Sequence, residues 1–438
     1  MNIRFIMVVF LWLLAAGLAA GAEENPPAPA GYALPDLYKL ALERAETIKI
    51  AEADLGIAQN YKDAAFSALM PRITAFDRYV RNTEANFNQP EQSNAWGGLL
   101  TYTFTLNGRE LLAFGIAADN VEGKEYQLRE AKENYLLTVA ATYFDALKAS
   151  EMETAAEENL ERLEKHRAAV EARLRLGEVT RPDVYRTDAE LSSARADLTE
   201  AQNARYLTES SLSRLVGLDA SFIIAPPPVT GITPLSKENL ADLQGRALLL
   251  RPDLRTRKVA EKIAQSQIRL EKSAYWPTVT LEGGYAYTDV EPKEFRPEEE
   301  SIHGGVSVSV PIFDGGLRKA STGTAEAELE KARLAREALE KDIRVEVEQA
   351  WRDLSSRLRR REALFDKLTF ARENFAAVSR QFENGLATSI DKIDANTLFT
   401  QAAKELAVAE FECAIASLRL EKATGTFFET VMGVLTDI

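Results

Sequence analysis

Two long stretches of the chain carry apolar side chains at helical spacing and contain neither glycine nor proline. They run from Lys124 to Leu176 and from Thr324 to Asn384, and both are rich in strong helix formers. Counted between the flanking glycines, Gly108 to Gly177 and Gly316 to Gly385, each predicted helix has about 70 residues and a length of roughly 100 Å. In the second helix the apolar positions lie three, four or seven residues apart, which predicts coiled-coil packing along its length. These positions are Leu329, Ala332, Leu339, Ile343, Val347, Ala350, Leu354 and Leu358.

Four short segments near the long helices alternate apolar and polar residues, which is typical of β-strands. About ten residues suit either a tilted transmembrane strand or a soluble amphipathic strand, and alternation alone does not separate the two. The segments are Arg72 to Arg81, Leu100 to Leu106, Thr278 to Tyr287 and Gly305 to Val310. Polar connectors, Asn82 to Asn94 and Asp289 to Ser301, are predicted as hairpin loops that join them in pairs. Trp96 and Trp276 are placed at strand ends, where an interfacial aromatic belt and simple packing are equally good explanations.

Proline and glycine mark the changes between helix and strand. A proline precedes the first strand of each pair. Proline ends a helix and biases the residue before it to extended geometry, so it marks the change from helix to strand. Glycine follows the second strand and permits a sharp turn into the long helix, next to an Asn or Asp that is a candidate cap. These junction residues are Pro71 and Pro277, then Asn107 with Gly108, and Asp314 with Gly315 and Gly316.

The two halves of the chain repeat one pattern at a nearly constant offset. Pro71 and Pro277 are 206 residues apart, Gly108 and Gly315 are 207 apart, and Asp183 and Asp391 are 208 apart. Each repeat therefore reads medium helix, strand, loop, strand, long helix, tight turn, medium helix. The two medium helices of the first repeat, Pro35 to Leu69 and Asp183 to Val216, together match the long helix in length. We expect them to stack end to end alongside it.

These features divide the chain into five parts. Met1 to Ala22 is predicted to be a secretory signal peptide, because a basic residue, an apolar run and a small-residue cleavage site follow in order. The first repeat then covers residues 23–217, a proline-rich linker 218–239, the second repeat 240–425 and a tail 426–438. No later apolar stretch approaches the roughly 20 residues of a spanning helix.

Composition narrows the functional classes. The net charge of −14, from 53 basic and 67 acidic residues, disfavours nucleic acid as a partner. One cysteine, Cys413, and two distant histidines, His166 and His303, predict no zinc cluster, no other metal site and no Ser-His-Asp triad. Without a phosphate loop or nucleophile–base pair, we expect neither enzymatic activity nor a cofactor.

Three single residues and one basic cluster are predicted to have structural rather than functional roles. Cys413 is predicted to be a small buried apolar residue. His166 is expected to be solvated or packed rather than a metal ligand, and His303 to be a loop residue. The basic cluster Arg357 to Arg361 is predicted as a solvated face, with contact to an acidic partner as the alternative.

The number of strands predicts an oligomer. Four strands do not close a barrel, and an open sheet edge in lipid would leave backbone groups without hydrogen-bond partners. Two copies supply eight strands, whose interior is filled by side chains, whereas three copies supply twelve and leave an open pore. If the strands cross a membrane, a homotrimer in contact with membrane lipid is the expected assembly.

Five segments, in this order in the chain, make it similar to the TolC family of outer-membrane efflux proteins. The similarity extends from about Leu37 to Gly425. It implies a mainly α-helical fold with a small β part, in which three chains form a twelve-stranded β-barrel in a Gram-negative outer membrane. Long helices would form an α-helical barrel across the periplasm. The segments are Leu176–Val184, Ala247–Leu254, Ser273–Thr280, Val310–Ala320 and Asn384–Ala395.

The tight turns after the long helices are the candidate functional tips. Glycine after a helix adopts a positive φ, and a Thr or Asp then caps the returning helix. The resemblance implies that these turns form the periplasmic entrance and dock a periplasmic adaptor (membrane fusion) protein and an inner-membrane pump of the RND, ABC or MFS type, which supplies the energy. The tip residues are Gly177, Thr180 and Asp183 in the first repeat, and Gly385, Thr388 and Asp391 in the second. In each repeat either the threonine or the aspartate is the predicted cap.

Two aspartates at the second tip are a candidate selectivity ring. Asp391 and Asp394 are three residues apart and share a helix face. The resemblance places them in the entrance constriction, where three copies would present six carboxylates and favour cations; capping alone is the alternative for Asp391. The well-known closed form of the family is held by a tyrosine and an arginine. Phe382 and Ala387 stand there in this sequence, so that latch is expected to be absent or built differently.

Two alternatives to an efflux duct follow from the same features. A duct for type I protein secretion has the same architecture and is not separated from efflux by the sequence. A periplasmic coiled-coil adaptor also has long helical hairpins. It also carries a lipoyl-like domain and a β-rich domain, and this sequence does not supply the strands that those domains need.

Overall fold

The computed structural model describes residues 31–84, 90–218, 222–225, 239–291 and 300–436. The predicted signal peptide and most of the predicted linker lie outside these residues. The first half contains helices α1 (Leu34–Arg44) and α2 (Glu46–Ser67), strands β1 (Arg72–Arg81) and β2 (Gln92–Thr105), and helices α3 (Arg109–Leu176) and α4 (Arg181–Val216). The second half contains α5 (Leu240–Leu250), α6 (Pro252–Ser273), β3 (Thr278–Glu291), β4 (Glu300–Ser309), α7 (Leu317–Glu383), α8 (Ser389–Thr424) and α9 (Phe427–Thr436).

The two long helices have the predicted length. Helix α3 has 68 residues and α7 has 67, so each extends about 100 Å. Shorter helices lie end to end alongside them, as expected. Near one end of α3, the rings of Phe66 on α2 and Phe114 are 5.9 Å apart, and near the other end Arg167 Nε donates to Asp188 Oδ1 of α4 at 2.7 Å. The predicted apolar seam of α7 is buried or half-buried.

The medium helix that opens each repeat is divided in two, which differs from the continuous helix expected at Pro35 to Leu69. Ala45 separates α1 from α2 with an extended backbone (φ −60°, ψ 121°), and Arg251 separates α5 from α6 in the same way. Pro252 explains the second break, since it cannot continue the preceding helix. No proline follows Ala45, whose side chain is buried, so nothing in the local sequence predicted that break.

The four strands form one antiparallel sheet in the order β1-β2-β3-β4. Strand β1 has the predicted bounds, but β2 and β3 are 14 residues long and extend into the expected loops. The alternation of apolar and polar residues stops at glycine pairs such as Gly97 and Gly98. The backbone pairing between the strands continues past these glycines. Trp96 therefore lies inside β2, opposite Tyr287, and not at a strand end. His303 lies in β4 opposite Gly284 and not in a loop.

The largest apolar core lies midway along the helical layer, and we call it the equatorial core. Its buried members come from α1, α3, α4 and α9 and include Leu37, Tyr143, Leu212, Phe427 and Val431. Helix α9 covers most of the segment expected to be a tail. Because its Phe427 is fully buried, this segment is part of the core.

The helices form a single layer with two open sides. Towards the tips the order is α4-α3-α8-α7, and towards the sheet it is α2-α3-α6-α7. Ion pairs mark the second order, from Lys124–Asp54 between α3 and α2 to Arg336–Glu261 between α7 and α6. Among the described strands, β1 and β4 each pair on one side only. None of the described helices has the length and apolar character that crossing a membrane requires.

Candidate functional site

Each long helix ends in a glycine turn at the same end of the molecule. Gly177 has φ 78° and Gly385 has φ 74°, in the left-handed region that favours glycine. The next amide reaches back to close the helix, Glu178 N to Arg173 O at 3.0 Å and Leu386 N to Gln381 O at 2.8 Å. These are the bonds of a Schellman motif, so both turns are fixed by backbone geometry.

Threonine caps both returning helices, and aspartate lies three residues further on. The Asp183 carboxylate accepts from the backbone N–H of Thr180 at 2.8 Å and from its hydroxyl at 2.6 Å. Asp391 accepts the same two bonds from Thr388, and its own N–H also donates to Thr388 Oγ1 at 3.2 Å. The bonds from Thr388 hold the pKa of Asp391 below its usual value, and Thr180 does the same for Asp183.

Phe382 lies between the two tips and is 2% exposed. The Arg173 guanidinium lies 4.2 Å from its ring centroid and the Lys392 ammonium 5.1 Å, both within the range of cation–π attraction. The His166 ring meets it edge-on, with centroids 5.1 Å apart. The position that lacks the family's hydroxyl group therefore holds an aromatic ring surrounded by two cations and an imidazole.

Arg173 joins the two hairpins of one chain directly. From the end of α3 its Nη2 donates to the carbonyl oxygens of Phe382 at 2.5 Å and Glu383 at 3.1 Å, at the end of α7. These carbonyls belong to the last turn of a helix, where cationic donors are favoured. The sequence did not predict this bridge, because residues 173 and 382 are brought together only by the packing of the two hairpins.

His166 is packed, one of the two environments expected for it. It is buried, and its Nε2 lies 3.0 Å from Ser389 Oγ, while its Nδ1 has no hydrogen-bond partner among the described residues. Burial, with the nearby Lys392 charge, lowers the pKa of His166 to about 4. The imidazole is therefore neutral at physiological pH, and it links α3 to the first turn of α8.

Asp394 and Asp391 differ in their partners. Asp394 Oδ1 accepts from Arg186 Nη2 of α4 at 3.3 Å, and both side chains are exposed. Asp391 is exposed and is held in its capping box. Arg186 is the residue of the first repeat that corresponds to Asp394, 208 positions earlier. The two tips thus carry opposite charges at equivalent positions.

An open groove of about 690 Å³ lies between the two tip turns. Its apolar lining includes Val179, Leu386 and Ala387, and Leu386 is 79% exposed. Thr180, Asp183, Gly385 and Thr388 also line it. The structure therefore places four of the six predicted tip residues around one groove, whereas Gly177 and Asp391 are not among its lining residues.

The junction residues lie where helix and strand meet. Pro71 and Pro277 immediately precede β1 and β3. Gly108, Gly315 and Gly316 have positive φ angles of 73°, 70° and 94°. Asp314 caps α7, accepting from the N–H groups of Gly316 and Arg318 at 3.0 Å. The corresponding cap at Asn107 is not formed, and Glu110 instead binds the N–H and hydroxyl of Thr105.

Two further residues behave as structural side chains. Cys413 is fully buried on α8 and unpaired, as expected. Arg357 binds Asp353 and Glu412 within its own hairpin, at 2.8 and 2.6 Å, so this member of the basic cluster is not simply solvated.

The family of the chain is decided by a comparison with protein-family models. The model described as outer membrane efflux protein matches residues 37–218 and 243–426, one range in each half. The chain belongs to the outer membrane efflux protein family. This membership excludes the alternative that the chain is a periplasmic adaptor. As an outer membrane efflux protein, the chain is an exit duct of the outer membrane.

Relatives of this efflux protein are similar along most of their length. Outer membrane protein TolC of Vibrio cholerae is 23% identical, with 90% of this chain and 91% of the relative covered. The alkaline protease secretion protein AprF of Pseudomonas aeruginosa is 24% identical over 98% of this chain and 90% of the relative. The CmeC outer membrane channel of Campylobacter jejuni is 17% identical, covers 92% of this chain and 88% of its own, and has a TM-score of 0.78. The last comparison shows a shared fold.

Proposed function

We propose that three copies of the chain form one continuous duct, with twelve strands in the outer membrane and the helical layer in the periplasm. The observation that carries this proposal is the pair of open edges at β1 and β4. These strands run antiparallel to each other, so β4 of one copy can continue the sheet by pairing with β1 of the next. Such a head-to-tail contact closes into a ring, and three copies leave an open pore.

The two faces of the sheet support a membrane position. In β4, Ile302, Val306 and Val308 lie on one face and are exposed. Their partners on β3 are Tyr285, Leu281 and Val279, so the apolar face continues across the sheet. The opposite face carries serine and threonine, including Thr103 and Thr280, whose hydroxyls are 3.1 Å apart. An apolar outer face and a polar inner face are the pattern of a transmembrane barrel in contact with lipid.

The groove between the tips is the proposed docking site for a periplasmic adaptor, which connects the duct to an inner-membrane pump of the RND, ABC or MFS type. Exposed Leu386 beside the capped turns offers an apolar anchor on a rigid frame. The residues assigned to docking are Gly177, Thr180, Asp183, Gly385 and Thr388. The duct has no source of energy in this scheme, and the pump drives transport.

Asp391 and Asp394 are the proposed cation-selective ring at the entrance. The lowered pKa of Asp391 keeps its carboxylate ionised well into the acid range. The Arg186–Asp394 pair lowers the net charge of the ring. Capping and selectivity are compatible for Asp391, since its carboxylate is exposed while it accepts the bonds from Thr388.

The duct is tested by native mass spectrometry and single-channel recording of the detergent-extracted protein. We expect a trimer and a stable conductance in planar bilayers. A monomer or dimer as the only species, or a trimer without conductance, would contradict the proposal.

The ring is tested by the reversal potential in a salt gradient. Asp391→Ala with Asp394→Ala is expected to lower cation selectivity, and Arg186→Ala to raise it. Asp183→Ala is the matched control, because it removes the same capping carboxylate from the first tip and leaves the pair at the second tip unchanged. Equal reversal potentials in the wild type and in all three variants would exclude the ring.

Protein secretion is a second candidate, favoured by the similarity to AprF, which is named as an alkaline protease secretion protein. Cross-linking of envelopes followed by mass spectrometry of captured proteins separates the two functions. A proton-driven transporter with its adaptor supports efflux of small molecules or metal ions. An ATP-driven exporter supports secretion of a polypeptide.

A further inference from the structure

The contact between the two hairpins of one chain is a polar seam between α3 and α8. Asn396 Nδ2 donates to Asn159 Oδ1 at 2.8 Å, and Arg162 donates to Asn396 and Thr400 at 2.9 and 3.1 Å. The His166–Ser389 bond lies closer to the tip in the same seam. The register of α3 against α8 is therefore fixed by several side-chain hydrogen bonds along the two helices.

A shift of 208 residues maps the first hairpin onto the second. It carries α3 onto α7 and α4 onto α8, and four buried positions of the two long helices coincide. Buried residues Val139, Ala146, Ala156 and Leu163 of α3 correspond to Val347, Leu354, Leu364 and Ala371 of α7, which are all buried. The shift also carries Asn159 onto Lys367, and Asp188 onto Asn396. The register of the α3–α8 seam is thus a template for contact between an α7 and an α4.

Within one chain this second seam cannot form, because α4 and α7 lie at opposite ends of the layer, separated by α3 and α8. Both helices present an uncovered stripe. On α7, Val345 and Phe370 are 25 residues apart, close to seven turns, and Phe370 is 63% exposed. On α4, Asp188 and Tyr206 are 18 residues apart, five turns, and Tyr206 is 64% exposed. A second copy of the chain has the matching helix for each stripe.

We infer that Asp188 on α4 of one copy forms an ion pair with Lys367 on α7 of its neighbour, at the place that the Asn396–Asn159 bond occupies within a chain. The inference rests on the proposed trimer and names the side chains that set the register between its subunits. A neutral amide pair inside each chain is replaced by opposite charges between chains. These charges attract a correctly placed neighbour and oppose the pairing of α4 with α4, or of α7 with α7.

The partners that each charge already has fit this arrangement. Asp188 binds Arg167 at 2.7 Å, and Lys367 Nζ binds Glu405 Oε2 at 2.7 Å. Both Asp188 and Lys367 are half-exposed, so each has room for a further partner. The ion pair between copies joins the two pairs into a row of alternating sign, Arg167, Asp188, Lys367 and Glu405. Networks of charges hold better than isolated surface pairs.

A second contact follows from the same register. The His166–Ser389 bond maps onto Asn374 of α7 and Arg181 of α4. The Arg181 guanidinium can donate to the Asn374 amide oxygen, so this hydrogen bond lies on the tip side of the ion pair. Two contacts at a fixed spacing define a single register between the two helices. One contact alone would not define it.

The experiment is cross-linking between engineered cysteines in the full-length protein. Cys413→Ala removes the buried native thiol, and Asp188→Cys with Lys367→Cys then places a thiol on each side of the seam. A short bismaleimide is expected to give covalent dimers and trimers. Asp188→Cys with Arg352→Cys is the matched control, since Arg352 is 15 residues, about 22 Å, further from the tip on α7. A mixture of the two single-cysteine proteins is expected to stop at dimers, because the contact is head-to-tail.

The outcomes separate this inference from the proposed trimer. Native mass spectrometry of the same proteins reports assembly independently of cross-linking. A trimer that cross-links no better through residues 188 and 367 than through 188 and 352 overturns the ion pair and leaves the duct standing. A protein that is not trimeric overturns both.

A charge exchange gives a second test without cysteines. Asp188→Lys and Lys367→Asp are each expected to lower the detergent stability of the trimer, and the double exchange to restore much of it. The internal partners Arg167 and Glu405 face the wrong charge in the double variant. Recovery therefore requires pairing between copies, and additive loss contradicts it.

Discussion

The equatorial half and the tip half of the helical layer are held together in different ways. In the equatorial half, α1, α3, α4 and α9 share one apolar core with fully buried Tyr143 and Phe427. In the tip half each hairpin has its own small cluster, around Leu163 in the first and Leu364 in the second. Between the two hairpins the contacts include hydrogen bonds, cation–π contacts and the edge-on contact of His166 with Phe382. Because polar contacts exchange with water at low net cost, we expect the hairpins to separate more easily at the tips than at the equator.

The largest expected effect is the loss of an equatorial ring. Phe427→Ala should lower the free energy of unfolding by about 3–5 kcal/mol, because the surrounding helices can only partly fill the cavity. Leu191→Ala, in the small cluster of the first hairpin, is the comparison and should cost less. Thermal unfolding followed by circular dichroism in detergent measures both. Equal losses would show that the two halves do not differ in packing.

Acid should affect the two halves in opposite directions. Burial lowers the pKa of His166 to about 4, so the opened tip binds a proton between pH 6.5 and 4 that the closed tip does not. The contribution of His166 to tip stability therefore falls as the pH falls through this window, by at most ~3 kcal/mol, and is constant below it. Burial raises the pKa values of Glu133 and Glu421 near the equator, so their protonation at low pH favours the folded state.

Hydrogen exchange at the tips and at the equator, corrected for the intrinsic effect of pH, measures this difference. His166→Gln should make tip protection independent of pH over the window and leave the equatorial amides unchanged. If the variant keeps the wild-type pH dependence, another group is responsible.

A smaller effect is expected from the bridge between the hairpins. Arg173→Ala removes two hydrogen bonds to carbonyl groups and the cation over Phe382, together worth about 2 kcal/mol. Faster hydrogen exchange around Gly385, with no change at the equator, is the expected result. Arg175→Ala is the control, since it removes the same charge from an exposed position two residues away. Equal effects of the two variants would assign the result to charge alone.

The smallest effect concerns the two caps. Thr388→Ala should destabilise the start of α8 by about 1 kcal/mol, and Thr180→Ala should cost somewhat less at the start of α4. The reason is that Thr388 also accepts from the N–H of Asp391, whereas the N–H of Asp183 donates to the backbone carbonyl of Thr180. Local exchange rates in the first turn of each helix distinguish the two. The reverse order would contradict the capping geometry.

Features that depend on local periodicity could be predicted from the sequence. The long helices, the end-to-end stacking and the bounds of β1 follow from spacing and from Gly and Pro. The outer parts of β2 and β3 were missed, because pairing there is carried by backbone bonds past Gly97 and Gly98. The break at Ala45 has no local signal. At the tips, the glycines predicted the turns, and the sequence offered threonine or aspartate as the cap without deciding between them. Arg173 and Phe382 meet only through tertiary packing.

The two ends of the described chain meet at the equator, where Leu37 of α1 and Phe427 of α9 are buried in the same core. Contacts between such distant parts of a chain form slowly, since a long loop must close before they contribute any stability. The core also lacks one of its largest side chains, Phe427, until α9 has been made and exported. The core is therefore complete only once α9 has been made. A product truncated before α9 would lack Phe427 and Val431 from this core and be more open to proteases in the envelope.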